Sequence, residues 1–355
     1  MWNENQLTQQ LKIKYPIIQA GMSGATTPEL VAAVSNSGAL GTYGAGYLSA
    51  EETREAIQKI KTLTDQPFAV NLFVPEHVDV DEAQISRSID VLQPIYEELN
   101  INPASKVNPT EINKFEEQIE VIIEENVPIC SFTFGIPSLD IIKRLKDNNV
   151  KLIGTATSVR EAELNEEASM DAVVAQGSEA GGHRGSFETP FHDAMIGTMA
   201  LTPQAADTVN IPVIAAGGIA DARGIYASLI LGAAGAQIGT LFLTTHESAA
   251  NKAIKSAVLN SVETDKVITP SFSGKPARGI RNDFIDKMLD YQDSLASYPI
   301  QHALTSVIRK AAAQQNRPEY MALWSGQNTR FNKEQSTQEL VENLINEIES
   351  LRTSL

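Results

Sequence analysis

Short apolar runs recur along the first 240 residues, and most are followed by a stretch whose apolar positions repeat at helical spacing. The runs are Pro16 to Ala20, Ala39 to Tyr43, Phe68 to Phe73, Ile129 to Phe134, Lys151 to Thr155, Ala172 to Gln176, Pro212 to Ala216 and Ala236 to Thr240. Helix signals fall between them. Pro28 to Val34 ends at Ser37-Gly38, Ser49 is followed three residues later by Glu52, and Ser138 and Ser158 open stretches that reach Asn148 and Glu167. Strand alternating with helix predicts a parallel sheet, and eight strands close such a sheet into a barrel. The expected fold class is α/β: a TIM (β/α)8 barrel over residues 10–245 with a mostly helical C-terminal appendage over 246–355.

Two intervals break the rhythm. A polar, proline-containing insertion at about 75–110 predicts extra helices or a lid over the barrel mouth. Between Gln176 and Pro212 the glycines Gly177, Gly181, Gly182 and Gly185 predict a loop. After Thr240 the pattern predicts helices around Glu247 to Asn260, Ile300 to Gln315 and Thr337 to Leu351, with an extended piece from Val267 to Ile280.

Reactive groups of a parallel barrel come from the C-terminal ends of its strands. The first strand leads into Gln19-Ala20-Gly21-Met22-Ser23-Gly24, whose glycines admit close approach of a flat ligand. Asn71 and Gln176 are amides on apolar strands, suited to a heteroaromatic edge carrying donors and acceptors, or else bonded to local backbone. The seventh and eighth strands end in Ala216-Gly217-Gly218-Ile219 and Gln237-Ile238-Gly239-Thr240, the position at which such barrels bind phosphate through loop N–H groups and a helix N-terminus. Neither is followed by Gly-Lys-Ser or Gly-Lys-Thr, so a monophosphate is the expected guest. The glycine-rich stretches Gly38 to Gly46 and Gly232 to Gly239 do not spell a dinucleotide fingerprint.

Charge and composition narrow the ligand. With 28 Lys plus Arg against 44 Asp plus Glu, the net charge is -16, which disfavours nucleic acid and anionic lipid and points to small molecules held in a prepared pocket. No apolar run approaches the roughly 20 residues of a membrane helix, and the N-terminus carries no signal pattern, so a cytoplasmic protein is expected. The single cysteine, Cys130, lies inside an apolar run and is expected in the core.

The most informative stretch is Ala175-Gln176-Gly177-Ser178-Glu179-Ala180-Gly181-Gly182-His183-Arg184-Gly185. His183 sits in a glycine-rich loop just beyond a buried strand, where its imidazole can act as base, acid or hydrogen-bond donor, or can brace the loop. Glu179 and Arg184 are expected to brace that loop by ion pairing. His77, His192, His246 and His302 lie in polar or helical contexts, and no metal is expected. Tyr298 and His302 lie where an appendage reaches the mouth, without a spacing argument for either.

Taken with Ser131-Phe132-Thr133-Phe134-Gly135-Ile136-Pro137 and Pro212 to Ile219, these motifs resemble the bacterial class I nitronate monooxygenases, formerly called 2-nitropropane dioxygenases, in order over roughly residues 10–310. The resemblance implies an FMN-containing TIM barrel that oxidises propionate 3-nitronate and other alkyl nitronates with O2 to a carbonyl compound and nitrite, a detoxification. It implies that the Met22 backbone, Asn71, Gln176, Gly181, Gly218, Gln237, Gly239 and Thr240 contact FMN, that Gly217 lines the phosphate loop, and that His183 faces the reactive edge of the flavin. A protonated His183 suits an anionic nitronate; a neutral one can remove the α-proton of a nitroalkane. The nearest rival resemblance is the FMN-dependent enoyl-ACP reductase II, which uses NAD(P)H, and a flavin-binding or phosphate-binding sensor without turnover is the third reading.

Overall fold

The alternation along the chain is realised as a closed ring of eight parallel strands. In the computed structural model, which describes residues 2–76, 81–103 and 114–354, these are β1 (Ile17–Gln19), β2 (Gly41–Gly44), β3 (Phe68–Phe73), β4 (Ile129–Thr133), β5 (Lys151–Ala156), β6 (Ala172–Gln176), and, after the short β7 (Gly182–His183), which lies outside the ring, β8 (Val213–Ala216) and β9 (Gly235–Ile238). Pairing runs from β2 through β3, β4, β5, β6, β8 and β9 to β1. The seam between β1 and β2 closes through Leu40 N–H to the Ile17 carbonyl and Gln19 N–H to the Leu40 carbonyl, each 2.9 Å. This is a TIM barrel.

Around it run α1 (Gln6–Leu11), α2 (Pro28–Asn36), α3 (Ala50–Leu63), α4 (Glu82–Glu98), α5 (Phe115–Glu124), α6 (Leu139–Asp147), α7 (Val159–Glu167), α8 (Thr198–Thr208), α9 (Ala222–Ile230), the short α10 (Thr240–Leu243), α11 (Lys252–Asn260), α12 (Asp283–Met288), α13 (Ile300–Gln314) and α14 (Thr337–Ser354). The caps expected from the sequence form. The Ser49 hydroxyl accepts from Glu52 N–H at 3.2 Å while the Glu52 carboxylate accepts from Ser49 N–H at 2.8 Å, and the hydroxyls of Ser138 and Ser158 accept from Ile141 and Glu161 N–H. Strand residues alternate between two environments. Ile18, Leu40, Ala69, Ile129, Ile153, Val174 and Ile214 cluster inside the barrel with Leu7 and Leu11 of α1, whereas Val70, Leu72, Cys130, Phe132 and Leu152 join the layer that includes side chains of α3, α5 and α6. Cys130 is buried, and burial pushes its thiol pKa up.

Beyond β9, the antiparallel strands β10 (Lys266–Thr269) and β11 (Ala277–Ile280) make a hairpin inside the stretch read as extended. β7 adds to it as a third strand, with His183 opposite Ala277 and Gly182 opposite Arg278. The stretch expected to be only loop thus contains a strand that belongs to the C-terminal sheet. Nothing local announces it, because the pairing partner lies 94 residues on.

The insertion yields one long described helix, α4; His77 and the other residues of 77–80, with 104–113, lie outside the described residues. No residue of α4 lines the cavity at the barrel mouth. Leu92, Ile95 and Tyr96 instead share a core with Phe272, Phe284, Ile300, Leu304 and Ile308. Polar bonds fix the same contact: Tyr96 Oη donates to the Leu304 carbonyl at 3.1 Å and Ser88 Oγ to Gln301 Oε1 at 2.6 Å. Among the described residues no helix is long and apolar enough to cross a membrane.

Candidate active site

A cavity of 570 Å3 opens at the C-terminal ends of the strands, within the size range of small-molecule and cofactor sites. Its barrel wall comes from the loop after β1 and from the ends of β3, β4, β6, β8 and β9. Its opposite wall comes from far along the chain: Ser273 between β10 and β11, His302 and Arg309 on α13, and Trp324, Gly326 and Asn328 ahead of α14. An apolar arm lined by Leu243, Ile254, Ala313 and Met321 extends from it.

His183 lines this cavity, and its setting decides its chemistry. The ring is half-buried, with Phe134 edge-on at 5.6 Å, Trp324 at 5.6 Å and Tyr298 at 6.2 Å. Phe134 holds that place through a φ of +74, unusual for an aromatic residue. Burial, then the nearby cations Lys275 and Arg309, push the His183 pKa down from 6.5 to about 3, so the ring is neutral near pH 7. Nε2 lies 2.8 Å from Ser273 Oγ. The Ser273 hydroxyl donates to the Lys275 carbonyl at 3.0 Å, so its oxygen accepts from His183, which places the proton on Nε2 and the basic lone pair on Nδ1. The protonated imidazole considered from sequence is therefore the disfavoured form.

The loop carrying this ring is held at almost every residue. Arg184 is buried and donates to the carbonyls of Gln176, Gly177 and Ala194, while both Glu179 carboxylate oxygens accept from Thr198 N–H. They brace the loop through backbone hydrogen bonds rather than the expected ion pairing. Arg278 donates to the Ser178 carbonyl at 2.7 Å. Glu161, wholly buried on α7, accepts from the N–H groups of Phe187, Glu188 and Thr189 and anchors the continuation of the loop.

The two amides divide their hydrogen bonds differently. Gln176 Oε1 accepts from Gly185 N–H at 2.8 Å and Nε2 donates to the His183 carbonyl at 3.1 Å, leaving one amide hydrogen without a partner among the described residues. Asn71 Nδ2 donates to Ser131 and Thr133 hydroxyls, and its Oδ1 has no protein partner. Gln237 lines the cavity with no side-chain hydrogen bond in the protein. Met22 departs from expectation: its N–H donates to Thr26 Oγ1 at 2.9 Å and its carbonyl closes the same turn, so its backbone donor is not free for a ligand. Met22 lines the cavity all the same.

Gly217 (φ +113) and Gly218 (φ +69) turn the backbone after β8, and the N–H groups of Gly217, Gly218 and Gly239 find no backbone partner among the described residues. A Cβ on Gly181 would overlap Gly326 N and the Ser325 carbonyl carbon. Thr240 Oγ1 accepts from Gly326 N–H at 3.0 Å, and Asn328 Nδ2 donates to the Gly218 carbonyl at 3.2 Å. Contrary to the expectation from the sequence, no helix N-terminus with free N–H groups stands behind these glycines among the described residues. α10 is one turn long, and the N-terminus of α9 is already capped by the Asp221 carboxylate, which accepts from Gly224 N–H. The cradle is one of loop N–H groups.

Residues the sequence did not single out complete the far wall. Tyr47 stacks on His302 at 4.0 Å, burial raises its pKa to about 12, and its hydroxyl is buried without a well-formed hydrogen bond. Burial, then Arg309, push His302 down to about 2. Lys275 pairs with Glu76 at 2.5 Å and lies 4.8 Å from the Phe134 ring. Of the two residues noted only for their place, His302 lines the cavity, whereas Tyr298 does not line it and packs against Phe134 and His183.

Comparison with known proteins agrees with this geometry. A family model described as nitronate monooxygenase matches residues 4–347. A relative from Staphylococcus aureus (strain MSSA476), "Probable nitronate monooxygenase", is 53% identical over 353 residues and 99% of each chain, and one of the same name from Staphylococcus haemolyticus is 52% identical over 355 residues and 99% of each chain. Among solved structures, nitroalkane oxidase from Streptomyces ansochromogenes superposes with a TM-score of 0.92 at 36% identity, covering 99% of both chains, and FabK from Thermotoga maritima with 0.78 at 31%, covering 99% of both. An enzyme with a barrel-mouth cavity, a histidine on a braced loop and this likeness along its whole length is a flavin-dependent oxidoreductase, and it belongs to the nitronate monooxygenase family.

Proposed function

We propose that the protein uses FMN to oxidise alkyl nitronates, propionate 3-nitronate among them, with O2 to a carbonyl compound and nitrite, removing toxic nitro compounds. The observation that carries this reading is His183 in the cavity wall, its Nε2 on Ser273 and its Nδ1 without a partner among the described residues, beside a cradle of loop N–H groups without backbone partners.

The residues present fit a flavin mononucleotide. The N–H groups of Gly217, Gly218 and Gly239 with the Thr240 hydroxyl suit one phosphate, and the close approach of Gly181 to Gly326 shapes the same cradle. Asn71 Oδ1, the remaining amide hydrogen of Gln176 and the Gln237 amide suit the ring system. Met22 contributes its side chain. When bound, FMN supplies the electron acceptor that the side chains lack and passes electrons on to O2. The protein's own residues do the rest. Phe73, Phe134 and Trp324 wall the reacting end, and Ser273 holds the His183 ring so that Nδ1 accepts the α-proton of a neutral nitroalkane. A preformed nitronate has no such proton to lose and asks of His183 only orientation.

The test is aerobic turnover of propionate 3-nitronate without pyridine nucleotide, following O2 consumption and nitrite release. His183→Asn should retain FMN while losing about 10²- to 10⁴-fold in rate on the nitroalkane and less on the nitronate. Strict dependence on NADPH would instead support the reductase reading, which the likeness to FabK at 31% identity keeps as the second candidate.

A further inference from the structure

Of the two cations that act on His183, one is neutralised and one is not. Lys275 has its carboxylate, Glu76. Arg309, which lines the cavity from α13, has none within 4 Å among the described residues. Its Nη2 donates to the His302 carbonyl at 2.8 Å and lies 3.2 Å from His302 Nδ1. Its Nε is buried without a hydrogen-bond partner, and Nη1 has none among the described residues. In a chain with 44 acidic side chains against 28 basic ones, leaving a half-buried guanidinium without a carboxylate is not for want of carboxylates. A charge partly withdrawn from water without a counter-ion is unfavourable until something compensates it.

The neighbours of Arg309 extend the same preference. Tyr47, packed on His302, has a buried hydroxyl without a well-formed hydrogen bond. His302 and His183 are both held neutral, so neither competes with Arg309 for an anion or adds charge of its own. One face of the cavity thus offers a positive fork and an adjacent hydroxyl, with no negative group in contact among the described residues. Guanidinium matches a planar anion with two oxygens, by paired N–H donors.

We infer that Arg309 is the anion-binding residue of the active site, receiving a planar two-oxygen anionic group of the substrate. The inference rests on the nitronate-oxidising reading for what that group is: the nitronate itself or a carboxylate elsewhere on the molecule, which share this chemistry. It divides the labour of the site, with charge recognition on α13 and proton handling on the His183 loop.

The holoenzyme, with Arg309→Leu and Arg309→Lys, provides the test. Butyrate serves as a non-reacting planar anion and butyramide as its neutral counterpart, each titrated calorimetrically and by the fluorescence of Trp324 in a Trp2→Phe background. Butyrate should bind the wild type, bind Arg309→Leu about 10- to 100-fold more weakly, and bind Arg309→Lys with intermediate affinity, while butyramide shows no such dependence. In turnover, a KM raised for both ethyl nitronate and propionate 3-nitronate places the nitronate on Arg309; a KM raised for propionate 3-nitronate alone places the carboxylate there. Equal butyrate affinity in wild type and Arg309→Leu overturns the inference, as does absence of butyrate binding to the wild type. Release of FMN by both variants would assign Arg309 to the cofactor and overturn it likewise. The titrations stand even if no nitronate is turned over, so failure of the functional reading is read separately.

Discussion

Two neutral histidines buried at one cavity make the stability of this protein fall with acid in a way that can be calculated. In the folded protein burial and neighbouring cations hold His183 at about 3 and His302 at about 2, whereas in the unfolded chain both return to about 6.5. Between those values the unfolded chain binds a proton at each ring and the folded protein does not. Stability is therefore fully present above about pH 6.5 and is lost as pH falls toward the folded values. Each ring approaches a slope of about 1.4 kcal/mol per pH unit well below 6.5, and the pair removes about 2 kcal/mol in the first unit below 6.5, a sizeable share of a typical folding free energy of about 5–15 kcal/mol. Carboxylates titrate in the same direction at lower pH, so the quantity to measure is a difference between variants. Urea unfolding of FMN-saturated wild type, His183→Asn and His302→Gln, at about pH 7.5 and about pH 5.5, isolates it. Each variant should lose about 1.4 kcal/mol less than wild type between the two pH values. Variants that lose as much as the wild type would show that the rings are protonated in the fold and that the neutral His183 of the mechanism is wrong.

Two further outcomes follow from the same contacts. Gly181→Ala must push Gly326 and Ser325 away from the catalytic loop, so the purified variant should show lower flavin absorbance per protein while its far-ultraviolet circular dichroism stays that of the wild type. Ser273→Ala removes the acceptor that fixes the His183 tautomer; turnover of a neutral nitroalkane should drop about tenfold more than turnover of its nitronate, and equal defects would mean that Ser273 only supports the fold.

What could be read from the chain was what neighbouring residues decide together. The eight barrel strands, the serine caps at 49, 138 and 158 and the glycine loops after the last two strands all have local signals, and each is where its signal put it. The cavity wall built by the C-terminal third was a different matter. Ser273 meets His183 across 90 residues, and Asn328 meets Gly218 across 110. Such pairings depend on how the hairpin and α13 dock, which no periodicity encodes. Arg309 illustrates the limit most plainly: on the sequence it is one basic residue on an amphipathic helix, and only its missing partner in three dimensions distinguishes it. The Met22 backbone fails for a related reason. Its glycine-rich stretch folds as a turn, and the Thr26 hydroxyl that takes its N–H is visible only once that turn is folded.

The pairing of β7 with β11 also bears on how this enzyme could be divided or recombined. A fragment ending after β9 would keep all eight barrel strands and most of the glycine cradle, yet its histidine segment would have lost the strand against which it is aligned, together with Ser273. Grafting the barrel of one relative onto the C-terminal region of another would likewise transplant the histidine without its alignment unless both strands travelled together. The unit of inheritance for the chemistry is thus a discontinuous pair of segments, and a family built this way is expected to diversify by paired substitution across that seam rather than by exchange of one half.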